Sequence, residues 1–400
     1  VSLPNLTVIR REGGLGRRNP SEDYVSGLVL NGVTDPYWPD LELDTTYELL
    51  SLQDAEALGI TAAYDATNVV SVWYHVSEFF RLNPSGTLFL RLVSQAVSLT
   101  QMADKDNHHA ASLLADAGGR VRQLGLGRCP ASGYTPTITD GIDADVYTAI
   151  AKAQELAALQ FAEFSPCSII IEGRAFTGNV PHLANLRLLA SDRVSVVLAH
   201  DQEGHADADG AAVGTMLGLL SARAVNQDPG WVGPGNIQSV SEGRFLSPKQ
   251  SGGYTLTKAQ GDSAHNKGFI IARSFPGYVG VYFSSGATCT AASSDYAYVN
   301  NVRTVDKAIR MLYASTLPNL NGPQLLNNDG TLRATEIAKL EAECRKALNG
   351  MGQNNEISAL SVWIDPTQNV ATTDKVSIRF GITPTGTARE IEFNIGLEVA

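Results

Sequence analysis

The chain has 400 residues, a net charge of −11 and a hydrophobic share of 44%. That length exceeds one ordinary core and predicts two or three domains, while the apolar share excludes disorder as the main state. The acidic balance excludes a nucleic-acid groove, because phosphate binding needs clustered Lys and Arg; Arg10-Arg11 with Arg17-Arg18 is the densest basic spot, and it is short.

Residues 3–11 read as an extended strand with Leu6, Val8 and Ile9 among its apolar positions, followed by a joint rich in glycine (Gly13, Gly14, Gly16). A short strand is predicted at 24–31. Ser51 with Asp54 forms a variant capping box that opens a helix through Leu58. Helix and strand then alternate. Val69, Val72, Trp73, Val76, Phe79 and Phe80 are read as one helical face, Asn83-Pro84 stops that helix, and a strand follows at 87–93. Further helices are predicted at 102–117, 145–164, 182–190 and 209–225, with strands at 120–126, 168–172 and 194–199. This is an α/β layer with a largely parallel sheet.

After Asn226 the chain turns to Gly- and Pro-broken loops with short strands at 268–273 and 279–284. Helices are predicted at 302–315 and 331–348, the second closed by Asn349-Gly350. The last forty-odd residues read as three strands with apolar side chains on one parity. These are Leu360, Val362 and Ile364; then Val376, Ile378, Phe380 and Ile382; then Ile391, Phe393, Ile395, Leu397 and Val399. Asp365-Pro366 and Thr383-Pro384-Thr385-Gly386 supply the turns. The last strand, at 390–399, has no successor in the sequence, so its backbone donors and acceptors must pair within the chain or beyond it.

Motifs of catalysis are sparse. Gly125 and Gly127 follow a strand, but Arg128-Cys129-Pro130 breaks a dinucleotide fingerprint. Gly13-Gly14-Leu15-Gly16 lacks the Gly-Lys-Ser/Thr of a P-loop, and no Gly-x-Ser-x-Gly elbow occurs. The best metal candidate is the segment 200–209, with His200, Asp201, Glu203, His205, Asp207 and Asp209 after a strand; the alternative is a solvated acidic loop whose Asp209 begins the next helix. Lacking the His-Glu-x-x-His arrangement, it is read as that loop, with no metal, no cofactor and no catalytic residue expected. Cys129, Cys167, Cys289 and Cys344 have no finger or Cys-x-x-Cys spacing and read as reduced, buried thiols of a cytosolically made protein. No run reaches the roughly eighteen apolar residues of a membrane span, and no signal-peptide order opens the sequence, so membrane insertion is not expected.

Read together, residues 254–400 resemble the C-terminal region of contractile tail sheath proteins. The resemblance rests on Gly268-Phe269-Ile270-Ile271 with Gly280-Val281-Tyr282, on Ser294-Asp295-Tyr296 running into Arg303-Thr304-Val305-Asp306-Lys307-Ala308, and on Thr373-Asp374-Lys375-Val376 followed by Pro384-Thr385-Gly386 and an alternating strand. Looser matches are Asn83-Pro84-Ser85-Gly86 and the Ala/Leu helix around 214–223. Within that family the chain is most similar to compact sheath-like proteins once catalogued only as a domain of unknown function.

The resemblance implies a multi-domain α/β subunit: an N-terminal arm and joint at 1–18, an α/β outer domain at 19–294, a smaller α+β inner domain at 295–387 and a donor strand at 388–400. In that family the terminal arms leave their own subunit and add as strands to a neighbour's small sheet. Carried over, Leu6, Val8, Ile9 and the run from Ile391 to Val399 lie on donated strands, while Leu360, Val362, Ile364, Val376, Ile378, Phe380 and Ile382 lie on the acceptor hairpin. Gly13, Gly14, Gly16, Pro384 and Gly386 become hinges. Arg333, Lys339, Arg345 and Lys346 become candidates to face an inner tube, the alternative being a solvated helix face shared with Glu336, Glu341 and Glu343. The implied partners are other copies of the chain, an inner tail tube protein, and baseplate and tail terminator proteins. The implied location is a virion tail or equivalent particle, assembled in the bacterial host cytoplasm. A metal-dependent α/β hydrolase built on 200–209 is the competing function.

Overall fold

The computed structural model describes residues 22–34 and 41–396. Its main sheet has seven strands, β1 (Val25–Gly32), β2 (Thr46–Leu49), β3 (Thr87–Ser94), β4 (Gln123–Leu126), β5 (Ser168–Glu172), β6 (Val194–Val197) and β7 (Phe269–Ile270), in the order β7-β6-β5-β4-β1-β3-β2. All neighbours run parallel except β2, which is antiparallel to β3. Strand β5 is buried along its whole length, as a parallel strand covered on both faces must be. Its residues divide by parity. Ile169 and Ile171 join the core under α3 (Leu99–Ala103), α4 (Ala110–Asp116) and α5 (Ala144–Ala162), while Ile170 joins the opposite core under α2 (Val72–Leu82) and α6 (Val213–Ser221).

Local chemistry sets the boundaries. The predicted capping box is formed, with Ser51 and Asp54 bonding each other's backbone at the start of α1 (Leu52–Ala57). Helix α2 receives the Asp65 carboxylate on the backbone N–H groups of Trp73 and Tyr74, and it ends at Asn83 before Pro84. Helices α2 and α6 pack closely because α6 is rich in glycine. A Cβ at Gly218 would lie 2.8 Å from the Phe79 carbonyl oxygen, so the small residues of this segment serve the helix contact.

Four expected helices are corrected. The one expected at 102–117 is two, α3 and α4, because Asp104 takes the Asp106 N–H and His108 adopts a left-handed φ of 59°. The one expected at 182–190 is a pair of 3₁₀ turns, Val180–His182 and Leu186–Leu188, since Pro181 and the Asn185 side chain, which accepts from Arg187 N–H, favour turns. Helix α6 starts only at Val213; Asp209 does not open it, because Asp209 N–H donates to the Asp207 side chain in the preceding turn. The helix expected to close at Asn349-Gly350 runs through them, and its left-handed terminal residue is Asn355 (φ 56°).

The hairpin β8 (Ala272–Phe275) and β9 (Tyr278–Phe283) leads to a second, smaller body: α7 (Val299–Thr316), α8 (Ala334–Gln353), β10 (Ile357–Ile364) and β11 (Ile378–Pro384). This body has its own two small cores, one around Ala308, Leu348, Met351 and Ile357, the other around Leu332, Leu340 and Ile364. Helix α7 joins it to the sheet through buried charges. Lys307 lies 2.6 Å from both Asp23 and Glu356, Arg310 lies 2.7 Å from Asp23, and Asp306 lies 2.8 Å from Arg193. Arg303 donates to the carbonyl oxygens of Leu220 and Arg223 at the end of α6. The Arg-x-x-Asp-Lys run thus has a structural explanation: it welds the second body onto the first.

All four cysteines are buried and free. Among the described residues no helix is long and apolar enough to cross a membrane.

Candidate assembly surface

Strands β10 and β11 form a two-stranded antiparallel sheet with Leu360 opposite Ile382, Val362 opposite Phe380 and Ile364 opposite Ile378. The predicted apolar parity therefore meets across the pair, and one face packs on α8 through Ile357, Leu360 and Ile364. Trp363 points to the other face, where the Arg379 guanidinium covers its ring at 5.2 Å. Strand β11 begins later than the expected 375–382, because the Gln368 side chain takes both the N–H and the C=O of Ser377. Val376 precedes the ladder and packs in the small core around Ile364.

The joint expected at 383–387 is partly inside the ladder. Thr383 and Pro384 pair with Ala359 and Ile357, so the chain leaves the sheet only at Thr385, followed by an exposed Gly386. The departing chain is then tied to the first body. Thr385 accepts from Asn226, and Arg389 lies 2.6 Å from the buried Asp228 carboxylate, with its guanidinium 3.3 Å from the centre of the Tyr298 ring. Beyond Arg389 the segment through Gly396 is in neither strand nor helix. This departs from the strand predicted at 390–399, since within one subunit the described part has no ladder partner. Its alternating side chains are bare: Ile391, Phe393 and Ile395 are 70%, 79% and 92% exposed. Leu397 and Val399, and likewise Leu6, Val8, Ile9, Gly13, Gly14 and Gly16, lie outside the described residues.

The four cationic candidates of the last helix are all exposed, and they do different things. Arg333 caps the start of α8 and donates through Nε to the Leu326 carbonyl. Lys339 pairs loosely with Glu336 at 3.8 Å. Arg345 turns to the hairpin and donates to the Val362 carbonyl oxygen at 3.0 Å. Lys346 sits beside it, exposed.

The acidic loop at 200–209 is not a solvated one. His200, Asp201 and His205 are buried, and His205 meets His75 of α2 and Glu172 of β5, their ligand-type atoms all within 4.8 Å of one another. Sequence spacing held no signal of this convergence, since its members come from three separate elements. Hydrogen bonds orient the rings of the cluster. Gly214 N–H donates to His75 Nδ1 at 3.2 Å, which puts the neutral ring's proton on Nε2, and that proton faces His205 Nε2 at 3.3 Å. A metal-bound imidazole needs the reverse, a lone pair at the ligating nitrogen and an N–H donated from the other. Both Glu172 oxygens accept backbone N–H groups, from Arg128 and Ala211 at 2.8 Å. Burial holds His75 neutral, down to about 3, and pushes the Glu172 carboxyl up to about 7 against the pull of Arg174. Asp207 N–H also donates to His205 Nδ1 at 3.3 Å, and the cluster joins the 200–209 loop to α2 and β5. Chelator treatment is expected to leave the melting temperature of the purified chain unchanged; a fall of several degrees would show a bound structural metal.

The fold is shared with solved structures of contractile sheaths. The chain resembles the anti-feeding prophage helical sheath in its contracted state, with a TM-score of 0.65 at 16% identity over 100% of both chains. It resembles the sheath complex of the extracellular contractile injection system PVC, also contracted, with a TM-score of 0.60 at 14% identity over 100% of this chain and 98% of that one. It matches the sheath tail protein Lin1278 from Listeria innocua with a TM-score of 0.54 at 10% identity, covering 93% of this chain and 94% of that one. In sequence it is 32% identical over 103 residues, 25% of this chain, to a protein of Haemophilus phage HP1 (strain HP1c1) named as a candidate tail sheath protein; the match spans 27% of that relative's length. The chain belongs to the DUF2586 family: the family's N-terminal domain matches residues 3–287 and its C-terminal domain residues 295–400.

Proposed function

We propose that the chain is the structural subunit of a contractile tail sheath, which polymerises helically around an inner tube and contracts to drive that tube through a target cell envelope. One observation carries the reading: the same chain holds a small two-stranded sheet and, beyond Arg389, an alternating apolar segment with no partner strand among the described residues. The segment from one copy adds as a strand to the sheet of another, backbone pairing giving affinity and side-chain alternation fixing register. Residues 3–11 donate a second strand in the same manner, with Gly13, Gly14 and Gly16 as their joint.

In this reading the sheet body is the outer domain, 19–294, and the smaller body the inner domain, 295–387. Subunits move as rigid bodies between two packings while the strands stay paired, Gly386 and the residues after it absorbing the change in direction. The energy comes from the difference between packings and needs neither nucleotide nor metal. Lys339 and Lys346, exposed on α8, face the tube, whereas Arg333 and Arg345 serve their own subunit. Baseplate and terminator proteins close the two ends of the polymer, which is built in the host cytoplasm and placed in a virion tail or equivalent particle.

Negative-stain microscopy of the concentrated chain is expected to show long hollow tubes; discrete particles at every concentration would overturn the proposal. Reversing Lys339 and Lys346 together to Glu is expected to leave tubes intact and weaken binding of the inner tube protein, read by co-sedimentation. Unchanged co-sedimentation would remove these residues from the tube interface.

A further inference from the structure

The two edges of the β10–β11 sheet are not equivalent. In an antiparallel pair each residue sends both backbone groups to one side, and alternate residues face alternate sides. On β10 two successive residues of one parity bond outward to α8: the Val362 carbonyl accepts from Arg345 at 3.0 Å, and the Ile364 N–H donates to the Glu341 carboxylate at 3.3 Å. These are two of the backbone groups that a third strand would need along that half of β10. Strand β11 has no such cover. Among the described residues, no side chain hydrogen-bonds to the backbone of Ile378, Phe380 or Ile382, the residues opposite Ile364, Val362 and Leu360. The side-chain bonds to backbone nearest to these residues fall on the other parity, Gln368 at Ser377 and the Ser361 hydroxyl donating to the Gly381 carbonyl at 3.4 Å.

We propose that Glu341 and Arg345 form a removable plug on the β10 edge, so that extended segments of other copies enter the hairpin in a fixed order, the β11 edge first and the β10 edge after the plug withdraws. The proposal rests on the strand-exchange reading above. The plug has somewhere to go. Glu341 and Arg345 are one helical turn apart, with the acid N-terminal to the base, the favourable order for an ion pair on a helix surface. Displaced from β10, each finds the other, so withdrawal exchanges two hydrogen bonds for one surface pair and leaves no charge unpartnered. Edge strands invite wrong pairings, and side chains that occupy their backbone groups are one means of preventing them. Here the cover acts on the subunit before assembly and yields to a strand that supplies a full ladder.

Assembly of the full chain from dispersed subunits, followed by light scattering and imaged at the end point, tests this. The double variant E341A/R345A keeps the net charge and frees two backbone groups, so its lag is expected to shorten about tenfold with tubes of normal appearance. K346A, which alters charge beside the plug without touching β10, is expected to keep the wild-type lag. An unchanged lag in the double variant, with tubes formed by all three proteins, would overturn the plug while leaving the sheath reading in place. A folded double variant that makes no tubes would overturn it by showing that the two residues build the polymer instead of guarding it. If none of the three proteins polymerises at any concentration, the strand-exchange reading falls, and the plug with it.

Discussion

Removal of residues 390–400 is expected to leave a folded subunit that no longer forms tubes. Ile391, Phe393 and Ile395 are exposed, so the described part of this segment contributes little to the subunit's own core, and the melting temperature should hold. The loss falls on the polymer. Burying three large apolar side chains at about 1.5–3 kcal/mol each is a gross gain on the order of 5–9 kcal/mol per junction, before the ordering of the segment is deducted. In the proposed polymer each copy would both donate and accept, so the loss is repeated at every junction and effective concentration no longer helps. Size-exclusion chromatography with microscopy reads the outcome. Tubes from the shortened chain would show that the connection between copies lies elsewhere. Retaining Arg389 matters to the design, because its contacts with Asp228 and Tyr298 keep the remaining end where it is in the intact chain.

Lys307→Met is expected to destabilise the subunit by about 3–5 kcal/mol, the usual effect of breaking a buried ion pair from one side. Lys307 is buried between two carboxylates, and among the described residues its loss leaves Glu356 without an ion pair and Asp23 paired with Arg310. Urea denaturation with near- and far-ultraviolet circular dichroism measures this, and a midpoint equal to that of the wild type would show that the weld is held by packing. Because the network joins the two bodies, the expected unfolding curve of the variant has two steps, the α8 and β10–β11 region first.

Much of this was legible because local periodicity and turn chemistry agree. The alternation at Leu360, Val362 and Ile364 gave β10 its boundaries, and Asn83-Pro84 gave the end of α2, since both signals are local. Helix ends failed where a side chain competed for the backbone: Asp104 split one predicted helix, Asn185 turned another into 3₁₀, and Gly350 proved an ordinary member of a helix whose end is set by Asn355. The histidine cluster was not legible at all, because nothing near His205 in sequence marks His75 or Glu172 as its neighbours. The charged pattern on α8 was visible, but only coordinates distinguish Arg345, turned onto β10, from Lys346, exposed beside it. Arg389 carried no signal in sequence either, being one arginine in a loop.

Asp23 and Arg389 stand at the roots of the two terminal segments, and both contact the same stretch of chain. Asp23 meets Lys307 and Arg310 within α7, and Arg389 rests on Tyr298, the residue that caps its start. A pull on either terminal segment therefore reaches this one helix before it reaches the sheet. In the polymer proposed above, with copies strung together by their ends, α7 would be the axle through which tension passes from one neighbour to the next.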